Sequence, residues 1–230
     1  SFLERAQQAG ARVGTTTNGT RITTDTAERL VNKGLHLIAF SLAGLEKTND
    51  NFRGPGSFTA VRQAIDCIQR AKAKYGANTP AIHVAYMLLR SGLEAVERLP
   101  AFMNESGAVE AVVSSLSLIV RPALTEEARL AERGRPWKNL KNRLHAIRQE
   151  AAAHDRTIAY QLVSPEPVPP RCSENIGRAL VINAPGTISP CVMTGLPVSE
   201  NRCRHYVNHQ PQAVINQFFG NLDQDSLSDI

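Results

Sequence analysis

Long apolar runs are absent from this chain. No stretch approaches the roughly 18 residues needed to cross a bilayer, and no basic, apolar and small-residue leader opens the sequence. The expectation is a cytoplasmic protein with no membrane partner. Blocks of like charge are absent too. The net charge of +5 comes from 26 basic and 21 acidic residues that are scattered along the chain, so a nucleic-acid partner is not expected. Aromatics make up only 5% against a hydrophobic fraction of 42%, which leaves an aliphatic core. Four cysteines in 230 residues are too few for a disulfide framework; in a cytosolic setting they point to metal or redox chemistry. There is no Ser–His–Asp set, no phosphate-binding glycine loop and no paired-carboxylate site. An initiator methionine is also missing. The chain opens on Ser1-Phe2-Leu3 and stops at Ser228-Asp229-Ile230, and we read it as a segment cut from a longer protein at both ends.

What is present alternates in type. Residues 2–10 read as the end of a helix, and 12–17 as a short β-branched strand. Asn18-Gly19-Thr20 is a turn, and Thr23 or Thr24 caps a helix with Ala27, Leu30 and Val31 on one face. Leu35–Ser41 and Ala81–Leu89 are nearly all apolar, the pattern of strands buried on both faces of a parallel sheet. Between them a loop over 45–56 leads to a helix opened by Ser57, with Val61, Ile65 and Ile68 at helical spacing. A helix over 93–105 and a strand running through Val112, Val113 and Ile119 follow. Then come a helix from Pro136 bearing Trp137, Leu140, Leu144 and Ile147, and a strand over 157–163. Repeated strand–helix units demand parallel strands with right-handed crossovers, in a barrel or an open sheet. Both architectures put their chemistry at the C-terminal strand ends. Here those ends hold Asn18, Ser41, Arg90 and Arg121.

The second part has a different texture. A Pro-rich stretch, 164–171, precedes Cys172. Cys172 and Cys191 flank a short alternating strand, a Pro185-Gly186 turn and a second short strand. A hairpin of that kind brings its ends together, and thiolates held so suit a metal or an iron–sulfur cluster. Spacing alone leaves zinc and a cluster equally open. Cys203 sits in a polar loop among Arg202, Arg204 and His205, which favour its thiolate, and reads equally as a simple loop thiol. Cys67 lies beside the Ile65/Ile68 stripe and reads as core. Residues 211–219 read as a short helix.

Several of these stretches resemble one family. Thr17-Asn18-Gly19-Thr20, Phe40-Ser41-Leu42-Ala43-Gly44 and Arg53-Gly54-Pro55-Gly56-Ser57-Phe58 resemble the middle of a radical SAM barrel, where the usual wording is TNGT, SLDG and RG-x-GSF. Cys172, thirteen residues, Gly186, four residues and Cys191 are similar to the opening of a SPASM auxiliary domain. Phe219-Gly220-Asn221-Leu222 is similar to that domain's next segment. The resemblance covers nearly the whole chain, in the family's order.

It implies a partial (β/α) TIM-like barrel over 1–163, a linker over 164–171 and a truncated SPASM-type domain over 172–230. It implies S-adenosylmethionine and [4Fe–4S] clusters as cofactors, a peptide or small-molecule substrate, and a reductant such as ferredoxin or flavodoxin. The activity implied is reductive cleavage of S-adenosylmethionine to a 5′-deoxyadenosyl radical, for peptide or protein modification or for cofactor maturation. The family's Cys-x3-Cys-x2-Cys loop does not occur here and would lie upstream of Ser1, so the segment alone is expected to be unable to cleave the cofactor. The family's Asp in SLDG is Ala43 here.

The resemblance makes Cys172, Cys191 and Cys203 candidate ligands of an auxiliary cluster, and Ser41 a contact for the amino-acid end of S-adenosylmethionine. Asn18 is a second lining candidate with an equally good reading as a turn former. Arg53 is a fork for a carboxylate or a solvated loop residue. His83, inside an apolar strand, reads as a core histidine. Two rivals remain: an ordinary barrel lyase with a zinc-stabilised tail, and a non-catalytic binding module with structural zinc.

Overall fold

The computed structural model describes residues 2–166, 177–196, 202–207 and 210–229. The chain divides into two compact units, Ser1–Leu116 with Arg129–Pro165, and Ser117–Ala128 with Glu166–Ile230. Among the described residues no helix is long and apolar enough to cross a membrane.

The first unit begins with α1 (Phe2–Gln8), β1 (Gly14–Thr17), α2 (Thr24–Asn32) and β2 (Leu37–Leu42). The loop expected over 45–56 contains a helix, α3 (Lys47–Arg53), and leads into α4 (Ser57–Tyr75). Then come β3 (Ala81–Leu88), α5 (Leu99–Ser106) and β4 (Glu110–Ser115). A short helix, α6 (Thr125–Ala128), belongs to the second unit. The first unit closes with α7 (Arg135–Ala152) and β5 (Thr157–Gln161).

The five strands form one parallel sheet in the order β1-β2-β3-β4-β5. Sequential order means every crossover steps the same way. With a constant right hand, all helices then fall on one face, the winding of a barrel rather than of a two-sided sheet. The core obeys this. Ile38, Phe40 and Leu42 of β2 and Ile82, Val84, Tyr86 and Leu88 of β3 are buried with Val61, Ile65 and Ile68 of α4 and Leu140, Leu144 and Ile147 of α7. The helix caps are local. Thr23 accepts the Thr26 N–H at 3.2 Å, and Pro136 stands in the first turn of α7.

Two expectations are corrected. β2 and β3 are not buried on both faces; they alternate buried and half-buried along their length. The opposite face carries Ala39, Ser41, Ala85, Met87, Val112 and Ala159, mostly small side chains that leave it half open. The strand expected to continue through Ile119 stops at Ser115. The Ile119 backbone instead serves the second unit: its N–H donates to His205 Nδ1 at 3.0 Å and its carbonyl accepts the Tyr206 N–H at 2.8 Å. Apolar composition alone does not say which ladder a backbone joins.

The second unit has β6 (Val181–Ile182), β7 (Thr187–Ser189), β8 (Arg202–Val207), β9 (Gln210–Ile215) and β10 (Gly220–Asn221). β10, β7 and β6 make an antiparallel sheet, and β8 pairs with β9. Residues 210–215 are therefore a strand and not the expected helix. Pairing with β8 gives their backbone partners that a helix of this length, exposed on most sides, would not repay with burial.

Tyr86 is 1% exposed, and its hydroxyl is buried with no hydrogen-bond partner. Burial pushes its pKa upward, so it stays neutral. Removing an unsatisfied buried hydroxyl while keeping the ring relieves a desolvation penalty. Tyr86→Phe is expected to raise stability by about 1 kcal/mol, whereas Tyr86→Ala lowers it by about 3–5 kcal/mol. Urea unfolding midpoints of the two variants check both signs.

Candidate functional site

The site is built from the C-terminal ends of the strands. β1 ends at Thr17, and the turn after it is made by side chains. Thr17 Oγ1 accepts the Gly19 N–H at 3.1 Å, and Asn18 Oδ1 accepts from the Thr20 N–H at 3.2 Å and the Thr20 hydroxyl at 2.8 Å. Asn18 is thus engaged as a turn former and is exposed.

β2 ends beside it. Phe40 and Leu42 point into the helix-packed core, so Ser41 points to the open face. Ser41 stands in register with Ala85, which stands beside Val112 and then Ala159. This row of small residues is a shelf across the sheet. The Ser41 hydroxyl is half-buried and has no hydrogen bond among the described residues. One rung on lie Met87, Ser114 and Gln161. One rung back toward the N-terminal ends, His83 faces Glu110, with Nδ1 and Oε2 3.9 Å apart. His83 is therefore on the open face and not in the core.

The loop after β2 is held by three polar side chains. Asn49 is 0% exposed. Its Oδ1 accepts the Ala43 N–H at 2.8 Å and its Nδ2 donates to Ser57 Oγ at 2.8 Å. Asp50 accepts the N–H groups of Gly56 and Phe58, each at 2.8 Å, and the Ser57 hydroxyl at 3.0 Å. Asp50 thereby caps α4 from the preceding helix, where Gly56 has no side chain to do so. The Phe58 and Gly56 N–H groups hold its pKa below the usual carboxylate value. Gly44 has φ +110°, and a Cβ there would sit 2.6 Å from Thr48 Cγ2. Ala43 is fully buried, so the position that is Asp in the usual wording has no room for a solvated carboxylate; the loop uses its backbone N–H instead.

Arg53 closes α3 on an exposed surface. Partial desolvation lowers its pKa, and it remains charged. Arg121 belongs to the second unit. Asn49 and Asp50 were missed in the sequence. The only signal was a pair of polar residues seven or eight positions before a helix start, and their partners emerge only when the loop folds back.

In the second unit the hairpin turn runs from Asn183 to Gly186. Asn183 N–H donates to the Thr187 carbonyl at 2.9 Å, and Gly186 N–H to the Asn183 carbonyl at 2.9 Å. Gly186 has φ +81°, and a Cβ there would meet Asn221 Oδ1 at 2.8 Å. Asn221 Nδ2 donates to the Pro185 carbonyl at 3.2 Å. The glycine of the hairpin and the Gly-Asn of the next segment are thus two sides of one contact.

Cys191 follows β7, half-buried and free, with Sγ 3.5 Å from Thr194 Oγ1. Its carbonyl accepts from Ser189 Oγ at 3.2 Å and from the Thr194 N–H at 3.3 Å. Cys172 lies outside the described residues. Cys203 stands in β8 opposite Val214, a strand where a loop was expected; its side chain lies outside the described part. Among the described residues no three His, Cys, Asp or Glu side chains gather as a metal site. Cys67 is half-buried in α4, 3.5 Å from Arg70 Nη2.

Comparison with known proteins bears on this arrangement. No protein-family model matches the chain. It is 38% identical over 72 residues to an Fe-coproporphyrin III synthase and 32% identical over 103 residues to an AdoMet-dependent heme synthase, both from Methanosarcina barkeri. These matches cover 31% and 44% of the chain, but only 18% and 28% of the relatives. In structure, SuiB of Streptococcus suis bound to S-adenosylmethionine superposes with a TM-score of 0.61 at 14% identity, over 99% of this chain and 49% of that one. Native anSMEcpe with bound AdoMet and the Cp18Cys peptide gives 0.52 at 13% identity, over 78% of this chain and 50% of that one. The chain shares the fold of these AdoMet-bound structures. Its sequentially ordered parallel sheet is a partial (β/α) barrel of that fold. The chain spans about half the length of these structures and under a third of the curated relatives it matches.

The loop network predicts a measurable asymmetry in the first unit. Asn49→Ala orphans the buried Ala43 N–H and should lower stability by about 1–3 kcal/mol. Asp50 contributes differently. Its folded pKa lies below its unfolded value, so its contribution is full above the unfolded pKa, near about pH 4, and is lost as pH falls through the folded pKa. Asp50→Ala should therefore flatten the acid limb of the stability–pH profile, and this is read from urea midpoints between neutral pH and pH 3.

Proposed function

We propose that this chain is the later part of a radical SAM barrel joined to the start of an auxiliary iron–sulfur domain. It binds S-adenosylmethionine and a substrate on the open face of the sheet. The observation that carries this reading is the Ser41 shelf. A half-buried hydroxyl without a hydrogen-bond partner among the described residues stands at a strand's C-terminal end, beside a row of Ala85, Val112 and Ala159 small enough to admit a ligand. The site fits the cofactor's polar amino-acid end beside an apolar floor.

When bound with a [4Fe–4S] cluster, S-adenosylmethionine supplies a 5′-deoxyadenosyl radical that takes hydrogen from a substrate. The residues of this chain bind and orient. Ser41 donates or accepts at the amino-acid end of the cofactor. Asn18 holds the neighbouring turn in place through its Oδ1. Arg53 offers two parallel N–H groups to a carboxylate. Asn49 and Asp50 keep the loop between Ser41 and Arg53 rigid, which fixes the distance between those two groups.

In the second unit, Cys191 with Cys172 and Cys203 would hold an auxiliary cluster. The chemistry of the one described thiol fits this. Cys191 is half-buried at a strand end, and the Thr194 hydroxyl is positioned to donate to a thiolate. The electron donor is a small redox protein of the ferredoxin or flavodoxin kind. The substrate is a peptide, as in the peptide-bound anSMEcpe and the SuiB complex with its precursor peptide SuiA. A second reading, maturation of a cofactor, is favoured by the names of the two Methanosarcina relatives.

Two measurements on the full-length protein, purified without oxygen, test this. Ser41→Ala should weaken S-adenosylmethionine binding about tenfold by isothermal titration, the worth of one hydrogen bond; unchanged affinity removes Ser41 from the site. Cys191→Ala should lower the iron and sulfide bound per chain by one cluster's worth. A protein that carries zinc and no iron at this unit sinks the auxiliary-cluster assignment.

A further inference from the structure

A second surface of the first unit has the chemistry of a binding site, and nothing in the proposed reaction uses it. Between α7 and β5 lies an open groove of about 320 Å³. Its floor is apolar and aromatic: Trp137 and Leu144 from the helix, Tyr160 and Leu162 from the sheet edge. Its rim carries basic residues: Lys141, His145 and Arg148.

The floor is rigid. Trp137 is 6% exposed. The Tyr160 hydroxyl donates to the Leu144 carbonyl at 2.8 Å, and burial pushes its pKa up to about 12, so it stays a neutral donor. The Arg148 guanidinium lies over the Tyr160 ring, 5.0 Å from its centre.

The rim has a direction. Lys138, Lys141, His145 and Arg148 recur at spacings of three, four and three residues, so they form one stripe along α7. Ten residues of helix span roughly 15 Å. Such a track is longer than a compact small molecule needs and suits an extended or helical polypeptide.

The basic side chains of this stripe are not matched by a carboxylate among the described residues. Elsewhere on this unit several basic side chains pair: Lys33 with Glu4, Arg62 with Glu105, Lys74 with Glu28, Arg98 with Glu46. On α7 itself, Arg143 is on the other flank and pairs with Glu97. No Asp or Glu lines the groove, and among the described residues Lys138, Lys141 and His145 make no ion pair.

We propose that the α7–β5 groove docks an acidic polypeptide segment that carries one bulky apolar anchor. The anchor enters the groove over Trp137 and Tyr160, and the segment's carboxylates run along Lys138, Lys141, His145 and Arg148. Charge complementarity sets orientation and encounter rate, while the buried anchor sets the lifetime of the complex.

The test uses the full chain and a fluorescein-labelled helical peptide of about four turns, with Glu along one flank and Leu and Trp along the other. Anisotropy titrations at low salt should show binding that weakens as salt rises. Lys138→Glu/Lys141→Glu should bind about tenfold more weakly. These side chains are exposed and unpaired, so the variant keeps its fold, and its urea midpoint confirms that. Arg5→Glu/Arg12→Glu, which changes net charge equally at a distance, should bind like wild type. A peptide with Ser in place of Leu and Trp should bind more weakly as well. Equal loss in both double variants, or no binding by wild type, overturns the proposal. Stripe-dependent binding to phosphatidylserine vesicles without binding to the peptide also overturns it, in favour of a membrane surface.

Discussion

The handedness of a strand–helix–strand crossover governs this chain more than any single contact. Five strands taken in sequential order, each reached by a crossover of one hand, oblige every helix to lie on the same side of the sheet. That side becomes dry, filled by the aliphatic residues of α4, α5 and α7. The other side is left to small and polar residues. A single topological rule therefore produces both a stable core and an open face on which a ligand can lie.

The same rule explains why the loops matter. With the core on one face, the C-terminal strand ends need something other than packing to hold them in position. After β1 the Thr17 and Asn18 side chains satisfy the turn's N–H groups. After β2, Asn49 and Asp50 reach forward to the start of α4 and back to Ala43. A buried amide and a capping carboxylate are costly unless every partner is met. Here they are met, and the loop after Ser41 is tied to both Ala43 and the start of α4. In the second unit, where little apolar surface is buried, the same work falls to Asn183, Asn221 and the glycine between them.

Much of this was legible in the residues. Alternation of β-branched and helical stripes located every strand of the sheet and the long helices, because side-chain periodicity is a local property. The motif stretches TNGT, SLAG and RGPGSF marked the loops that build the site. What was misread shares one cause. The apolar run through Ile119 leaves the sheet because its backbone finds partners in β8, and residues 210–215 become a strand because β8 lies beside them. Composition favours neither outcome strongly, and the partner is distant in sequence. His83 was read as core for a similar reason: a strand's two faces look alike in an apolar run until one of them is covered.

The sequence by itself determined the alternation of elements, the positions of its turns and the residue types offered at each strand end, since these follow from backbone preferences and the spacing of apolar side chains. Only the tertiary structure decided which face would be covered, that Asp50 would cap a helix it does not belong to, and that Lys138, Lys141, His145 and Arg148 would border an aromatic groove with no carboxylate among the described residues to answer them. Those outcomes depend on which distant segments meet, and the free energy of a contact exists only once both partners have been brought together.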